Sequence, residues 1–227
     1  NQKIARASAT LYQKAGVKFA ILGSEEKCTG DLARRSGNEM LFQMLAGENV
    51  ETMNNYKIKK IVTACPHCLN SIKNEYPQLG GEYEVFHHSQ FIAKLVDEGR
   101  LPVKSNLKDT ITYHDPCYLG RYNREYEAPR NLLKHAADEP MREMKRHGSE
   151  SFCCGGGGAR MWMEETIGTR INENRTEEAI STGASTVATG CPFCMTMLSD
   201  GITAKGKSES MQVKDVAELV LEAVEAV

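Results

Sequence analysis

The sequence predicts an α/β protein of two pseudo-repeated lobes, each a small, mostly parallel sheet flanked by helices. Three observations lead there. The cysteines repeat: 37 positions separate Cys28 from Cys65 and 37 separate Cys154 from Cys191, and each span closes on a Cys-Pro-x-Cys pair, Cys65-Pro66-His67-Cys68 and Cys191-Pro192-Phe193-Cys194. At that offset of 126, Ala33-Arg34 also falls on Ala159-Arg160 and Thr63-Ala64 on Thr189-Gly190. Strand-like runs alternate with helical stretches in both halves, as strands and crossover helices do around a parallel sheet. The length of 227 residues divides into two units of common domain size. They are placed at 1–104 and 105–227, with the turn-rich stretch 99–109 as the link.

Residues 1–16 begin helically, with Ile4, Ala7, Leu11 and Ala15 at helical spacing and Gly16 as the stop. Lys18-Phe19-Ala20-Ile21-Leu22 reads as a buried strand running into the Cys28 loop. Leu32 to Tyr56 reads as one long helical stretch with Leu41, Leu45 and Met53 on its apolar stripe. Lys60–Ala64 is the next strand, and Cys65-Pro66 opens a helix at its carboxyl end, proline being well tolerated at the first helical position. A strand at 83–86 and a helix at 89–98 complete the lobe. The second lobe repeats the order: strand 110–114, helix 128–137, a glycine loop, helix 168–182, strand 185–189, the Cys-Pro-Phe-Cys helix start, and a last strand and helix within 210–226.

Composition narrows the classes. A net charge of −2 leaves no electrostatic footprint for nucleic acid or an anionic membrane surface. No run approaches the roughly 18 apolar residues of a transmembrane helix and no signal peptide precedes the first motif, so this portion is expected to be soluble. Eight cysteines could form disulfides, but a chain with 41% apolar residues can build a core without such staples. Ligated thiols in a reducing compartment are the expectation.

Ser151-Phe152-Cys153-Cys154-Gly155-Gly156-Gly157-Gly158 is a poor core segment and a good cofactor loop. Glycine contributes no side chain to pack, whereas thiolates ligate soft metals and iron–sulfur clusters and glycine N–H groups can approach an anionic centre closely. The candidate metal ligands are Cys117, Cys153, Cys154, Cys191 and Cys194 in lobe two and Cys28, Cys65 and Cys68 in lobe one. Gly155 and Gly156 are the candidate cofactor-binding backbone. Lobe one is the poorer copy, because Lys27 stands where Cys153 stands and the counterpart of Cys117 would fall before Asn1. Both Cys-Pro-x-Cys pairs are expected at strand carboxyl ends and helix N-termini, where open α/β sheets bind ligands and the helix dipole favours an anion.

Other chemistries compete for these residues. Cys-Pro-x-Cys pairs also make zinc sites, which close with four ligands, usually within a short span. Cys65-Pro-His-Cys68 alone would suggest a redox dithiol. The glycine run lacks the Lys-Ser/Thr of a phosphate loop. His87 and His88 end a strand and are read first as a helix cap or carbonyl partners, and second as contacts of the lobe-one cluster. His114 and Asp115 are read as a strand-ending turn, with proton relay as the alternative. Arg34, Arg35, Arg121 and Arg160 either offset cluster charge or sit solvated on the surface. Trp162 and its methionines are read as core or interface.

The pattern Cys117, Cys153-Cys154-Gly155, Cys191-x-x-Cys194 resembles the cysteine-rich CCG domain of heterodisulfide reductase-related proteins. That group includes heterodisulfide reductase catalytic subunits, the Fe–S subunits of glycolate, lactate and glycerol-3-phosphate dehydrogenases, and membrane-bound electron-transfer-flavoprotein:quinone oxidoreductases. The resemblance spans essentially the whole chain. Lys27-Cys28-Thr29-Gly30-Asp31 with Arg34-Arg35, His87-His88, Asp115-Pro116-Cys117-Tyr118-Leu119-Gly120-Arg121 and Met161-Trp162-Met163-Glu164-Glu165 look most like the flavoprotein:quinone branch.

The resemblance implies a 4Fe–4S-type cluster in lobe two, with a noncubane form open because five thiolates exceed the four of a cubane. It implies a simpler cluster in lobe one. It further implies a flavoprotein electron donor, a quinone reached indirectly, upstream Fe–S and membrane domains in the same or a neighbouring chain, and a place at the cytoplasmic face of the membrane. Electron relay between flavoprotein and quinone is the leading reading. Disulfide cleavage at the cluster and a zinc-stabilised assembly domain are the alternatives.

Overall fold

The computed structural model describes residues 2–104 and 106–225. Asn1, Ser105, Ala226 and Val227, at the ends of two expected helices and within the expected link, lie outside the described residues. The first half runs α1 (Gln2–Lys14), α2 (Asp31–Arg35), α3 (Glu39–Asn55), β1 (Lys60–Thr63), α4 (Pro66–Asn70), β2 (Glu84–His87) and α5 (His88–Asp97). The second runs β3 (Ile111–His114), α6 (Cys117–Gly120), α7 (Glu127–Ala136), α8 (Ile171–Ser181), β4 (Thr186–Thr189), α9 (Pro192–Ala204), β5 (Gln212–Asp215) and α10 (Val216–Glu225).

Every strand pairing is parallel. β1 pairs with β2 from Lys60↔Glu84 to Thr63↔His87. In the other sheet β4 lies between β3 and β5, so that His114, Thr189 and Asp215 stand in one row at the carboxyl edge.

The main core lies between the sheets. Leu11 of α1, Ile92 and Leu95 of α5, Leu132 and Leu133 of α7, and Leu219 and Val220 of α10 pack with Ile111, Tyr113 and Ala188 of one sheet and Val62 of the other. Burying such side chains contributes about 1.5–3 kcal/mol each, so the shared helix layer is a major source of lobe-to-lobe cohesion. Outside it, α3 and α4 cover the first sheet through Phe42, Ala46, Val50 and Leu69, and α8 and α9 cover the second through Ala179, Leu198 and Ile202.

Two expectations are corrected. Residues 18–22 form no strand, and Phe19 and Ile21 are 42% and 79% exposed. A β-prone run needs a partner for its backbone; here Ala20, Ile21 and Leu22 line a cavity of about 660 Å³ against the outer edge of β1, without hydrogen-bonding to it. The long helix 32–56 is two helices. Gly37, at φ +88, ends α2, and the Asn38 side chain accepts the Leu41 N–H at 3.1 Å to cap α3. The buried face of α3 is Phe42, Ala46, Asn49, Val50 and Met53, leaving Leu41 exposed. Phe42 sets that face: an added Cβ on Gly30 would lie 2.9 Å from its ring, and the Arg34 guanidinium stacks over it.

Candidate metal centre

β3 delivers His114 and Asp115 to the sheet edge, and Pro116 turns the chain into α6, which Cys117 opens. The Asp115 carboxylate is gripped by both ends of the Arg130 guanidinium, at 2.6 and 2.8 Å, and accepts the Gly148 N–H at 2.8 Å. Ser151 Oγ donates to the Asp115 carbonyl, and Arg121 donates to the carbonyls of Ser149 and Ser151. These charge-assisted bonds tie the segment that precedes Cys153 to the turn that carries Cys117. Asp115 is thus a strut, which accounts for its position without a proton-relay role.

Five thiols converge behind that strut. Side-chain hydrogen bonds run from Cys117 to Cys153, Cys154, Cys194 and Cys191 in that spatial order. Cys154, Cys191 and Cys194 are buried. Two of the five thiols are shifted toward ionisation. Hydrogen bonds from Cys117 and then Cys154, with the Gly155 N–H at 3.2 Å, pull the Cys153 thiol down. Burial opposes ionisation of Cys191, but a hydrogen bond from Cys194, the nearby His67 ring and N–H groups of the first turn of α9 outweigh it. Cys117 and Cys154 are pushed up by their hydrogen bonds to Cys153, and Cys194 by those to Cys154 and Cys191, with burial adding to each. A buried set that can ionise only in part relaxes fully when a soft cationic group takes the remaining protons' place. The donor set therefore fits an iron–sulfur or zinc centre.

The glycine loop serves this approach. Gly155 sits at φ +87, where other residues are strained, and a Cβ on Gly156 would meet Met197 at 3.2 Å and Cys154 Sγ at 3.6 Å. In lobe one the repeat is looser. Cys65 caps α4 and bonds to Cys68, whose thiol is lowered to about 7 by the bond from Cys65 and by Thr29 Oγ1 at 3.5 Å. Cys28 is exposed, accepts the Gly30 N–H at 3.5 Å, and lines the 660 Å³ cavity together with Cys68.

His67 joins the two thiol sets. It lies between Cys65 and Cys68, yet its ring stacks on Tyr118 at 4.1 Å and meets Phe193 edge to face at 5.0 Å. Asp31 Oδ2 holds its Nδ1 at 2.8 Å. Phe193 occupies the position equivalent to His67 in the second copy, so the two motifs face each other.

The histidine pair at the end of β2 does not reach the lobe-one thiols. His87 caps α5 in a capping box with Gln90, and its Nε2 donates to the Gly190 carbonyl at 3.0 Å. His88 Nε2 lies 2.8 Å from Asp215 Oδ1. Both rings are buried and each reaches the other lobe through Nε2; His87 fits the cap-and-carbonyl reading, while His88 meets a carboxylate and its Nδ1 has no hydrogen-bond partner among the described residues.

Arg34 and Arg35 pair with Glu75, and Arg35 also with Asp31, while Arg160 pairs with Glu165. Trp162 is 67% exposed, which removes it from the core. Sequence reasoning missed Arg175, a fully buried guanidinium on α8 whose Nε donates to His114 Nδ1 at 3.0 Å. A lone arginine in a helical run of polar residues carries no mark of burial.

A duplicated α/β fold that gathers distant cysteines at strand ends defines a protein of the thiolate-ligand class. The chain belongs to the CCG cysteine-rich domain family, whose model matches residues 1–73 and 111–199. It is 49% identical to the "probable iron-sulfur-binding oxidoreductase FadF" of Bacillus subtilis and 46% identical to the "EtfAB:quinone oxidoreductase" of Syntrophomonas wolfei, in each case over 99% of this chain and 32% of the relative. It is 37% identical to a dihydromethanophenazine:CoB–CoM heterodisulfide reductase polypeptide of Methanosarcina barkeri, over 97% of this chain and 55% of that protein. The chain thus spans about a third of the length of the first two relatives and about half of the third.

Proposed function

We propose that this chain is the iron–sulfur electron-transfer module of an oxidoreductase that passes electrons between a flavoprotein and a quinone pool. Cys117, Cys153, Cys154, Cys191 and Cys194 hold a 4Fe–4S-type cluster in lobe two, of noncubane form because five thiolates exceed a cubane's four. Cys28, Cys65 and Cys68 contribute to a simpler cluster in lobe one. The Gly155 N–H, already aimed at Cys153, tunes the lobe-two centre by hydrogen bonding to sulfur. Lobes 1–104 and 105–227 act as one unit. No described helix is long and apolar enough to cross a membrane; other domains bring the module to the cytoplasmic membrane face and to the quinone.

One observation carries this reading over disulfide cleavage. His67 of one motif meets Phe193 of the other and stacks on Tyr118, so packed rings bridge the two thiol sets, which suits a short electron path. The test is iron, acid-labile sulfide and zinc on anaerobically prepared protein, with an electron paramagnetic resonance spectrum. About four to eight irons per chain with matching sulfide is the expected result. Stoichiometric zinc without sulfide, surviving anaerobic reconstitution, would overturn it.

A further inference from the structure

His114 brings a ring nitrogen within 4.8 Å of the sulfurs of Cys154 and Cys194, close enough to look like a sixth ligand. Its other contact argues otherwise. Arg175 is fully buried on α8, and its Nε donates to His114 Nδ1 at 3.0 Å. Arginine keeps its proton in proteins and has no lone pair to offer, so the histidine nitrogen facing it must be the acceptor. A neutral imidazole has one acceptor and one N–H; with Nδ1 accepting, the ring proton belongs on Nε2. The guanidinium cannot swing away, because its Nη1 is bound to the Arg146 carbonyl at 2.9 Å and to Glu178 at 2.8 Å. The backbone of His114 is held in register beside Thr189, whose hydroxyl donates to the His114 carbonyl at 3.3 Å.

We infer that Arg175 locks His114 as an N–H donor toward the lobe-two sulfurs and so excludes it from the ligand set. Arg175 is a positioning residue: it acts through the imidazole, setting which ring nitrogen carries the proton. With iron bound as proposed above, on which this part of the inference rests, a donor to sulfur favours the reduced, more negative state and raises the midpoint potential.

Nitrogen-15 spectra of histidine-labelled, metal-free chain at neutral pH test the lock without any cofactor. A neutral His114 protonated at Nε2 is expected, and protonation at Nδ1 or at both nitrogens would overturn the inference. After anaerobic reconstitution with iron and sulfide, His114→Phe is expected to keep its iron and shift the midpoint potential down. Loss of iron from a folded His114→Phe chain would make the histidine a ligand and sink the idea. If that variant does not fold, the wild-type spectrum still decides. If the wild-type chain takes up no iron, the proposed function fails while the tautomer result stands.

Discussion

His88 of α5 and Asp215 of β5, 127 positions apart, meet at 2.8 Å with both side chains buried. Asp215 also caps α10: its carboxylate accepts the Ala217 N–H at 2.8 Å, and Glu218 accepts the Asp215 N–H at 3.0 Å. His87 caps α5 with Gln90 in the same way. The two lobes thus share a device at corresponding strand ends, and each reaches across to the other.

Removing one side of that bond leaves a buried carboxylate short of a partner. His88→Ala is expected to cost about 2–4 kcal/mol. Lys27→Ala, which removes an exposed pair with Glu48, is expected to change stability by less than about 1 kcal/mol. Urea unfolding of both variants makes the comparison, and equal effects would show that the bond does not hold the lobes together.

Stability should fall in mild acid. Burial, then the neighbouring His88 ring, holds the His87 ring well below the ordinary 6.5. The unfolded chain takes up this proton as pH falls through 6.5 and the folded chain does not. The contribution is therefore complete above that pH and is lost below it, at up to about 1.4 kcal/mol per pH unit. Unfolding midpoints between pH 7 and pH 5 check the slope, and His87→Gln is expected to flatten it by about one proton.

Cys154→Ala is expected to abolish the lobe-two paramagnetic signal, because this thiol links Cys153 to Cys194. Lobe one should remain folded, since its core is built on Phe42, Val50, Leu69 and Tyr76. An unchanged spectrum would remove the ligand assignment.

Replacing His67 with leucine keeps bulk but loses the bond to Asp31 and the stack on Tyr118. A loss of about 1–3 kcal/mol is expected by thermal or urea unfolding. Iron bound at the lobe-two cysteines should be unaffected, because His67 is not among them.

Gly201 is where α9 crosses α8. A Cβ there would lie 3.0 Å from the Asn172 carbonyl and collide with Thr176 Oγ1. Gly201→Ala is expected to cost about 1–3 kcal/mol through forced separation of the helices, measurable as a lowered melting temperature.

The repeat is readable because the same cysteine spacing and the same Cys-Pro-x-Cys ending occur in both halves. Strands at Lys60–Thr63 and Thr186–Thr189 and the helix starts at Pro66 and Pro192 followed from local signals that the fold respects. Phe19 to Leu22 misled for the opposite reason, since strand propensity has no force where no neighbouring strand supplies hydrogen bonds. The turn at Gly37 was overlooked inside an otherwise helical composition. The five-thiol row could be assembled from spacing, but its supports could not. Arg130 on Asp115, Arg175 on His114 and His67 on Phe193 are contacts between distant segments, and no local pattern records them.

The meeting of His67 with Phe193 also bears on symmetry. In a pair of identical separate subunits, whatever residue stood at this position would face its own copy, histidine on histidine or phenylalanine on phenylalanine. Histidine against phenylalanine, with an Asp31 carboxylate behind one ring only, requires two halves of different sequence. The mixed contact gives the seam a chemistry closed to any symmetric dimer of identical halves.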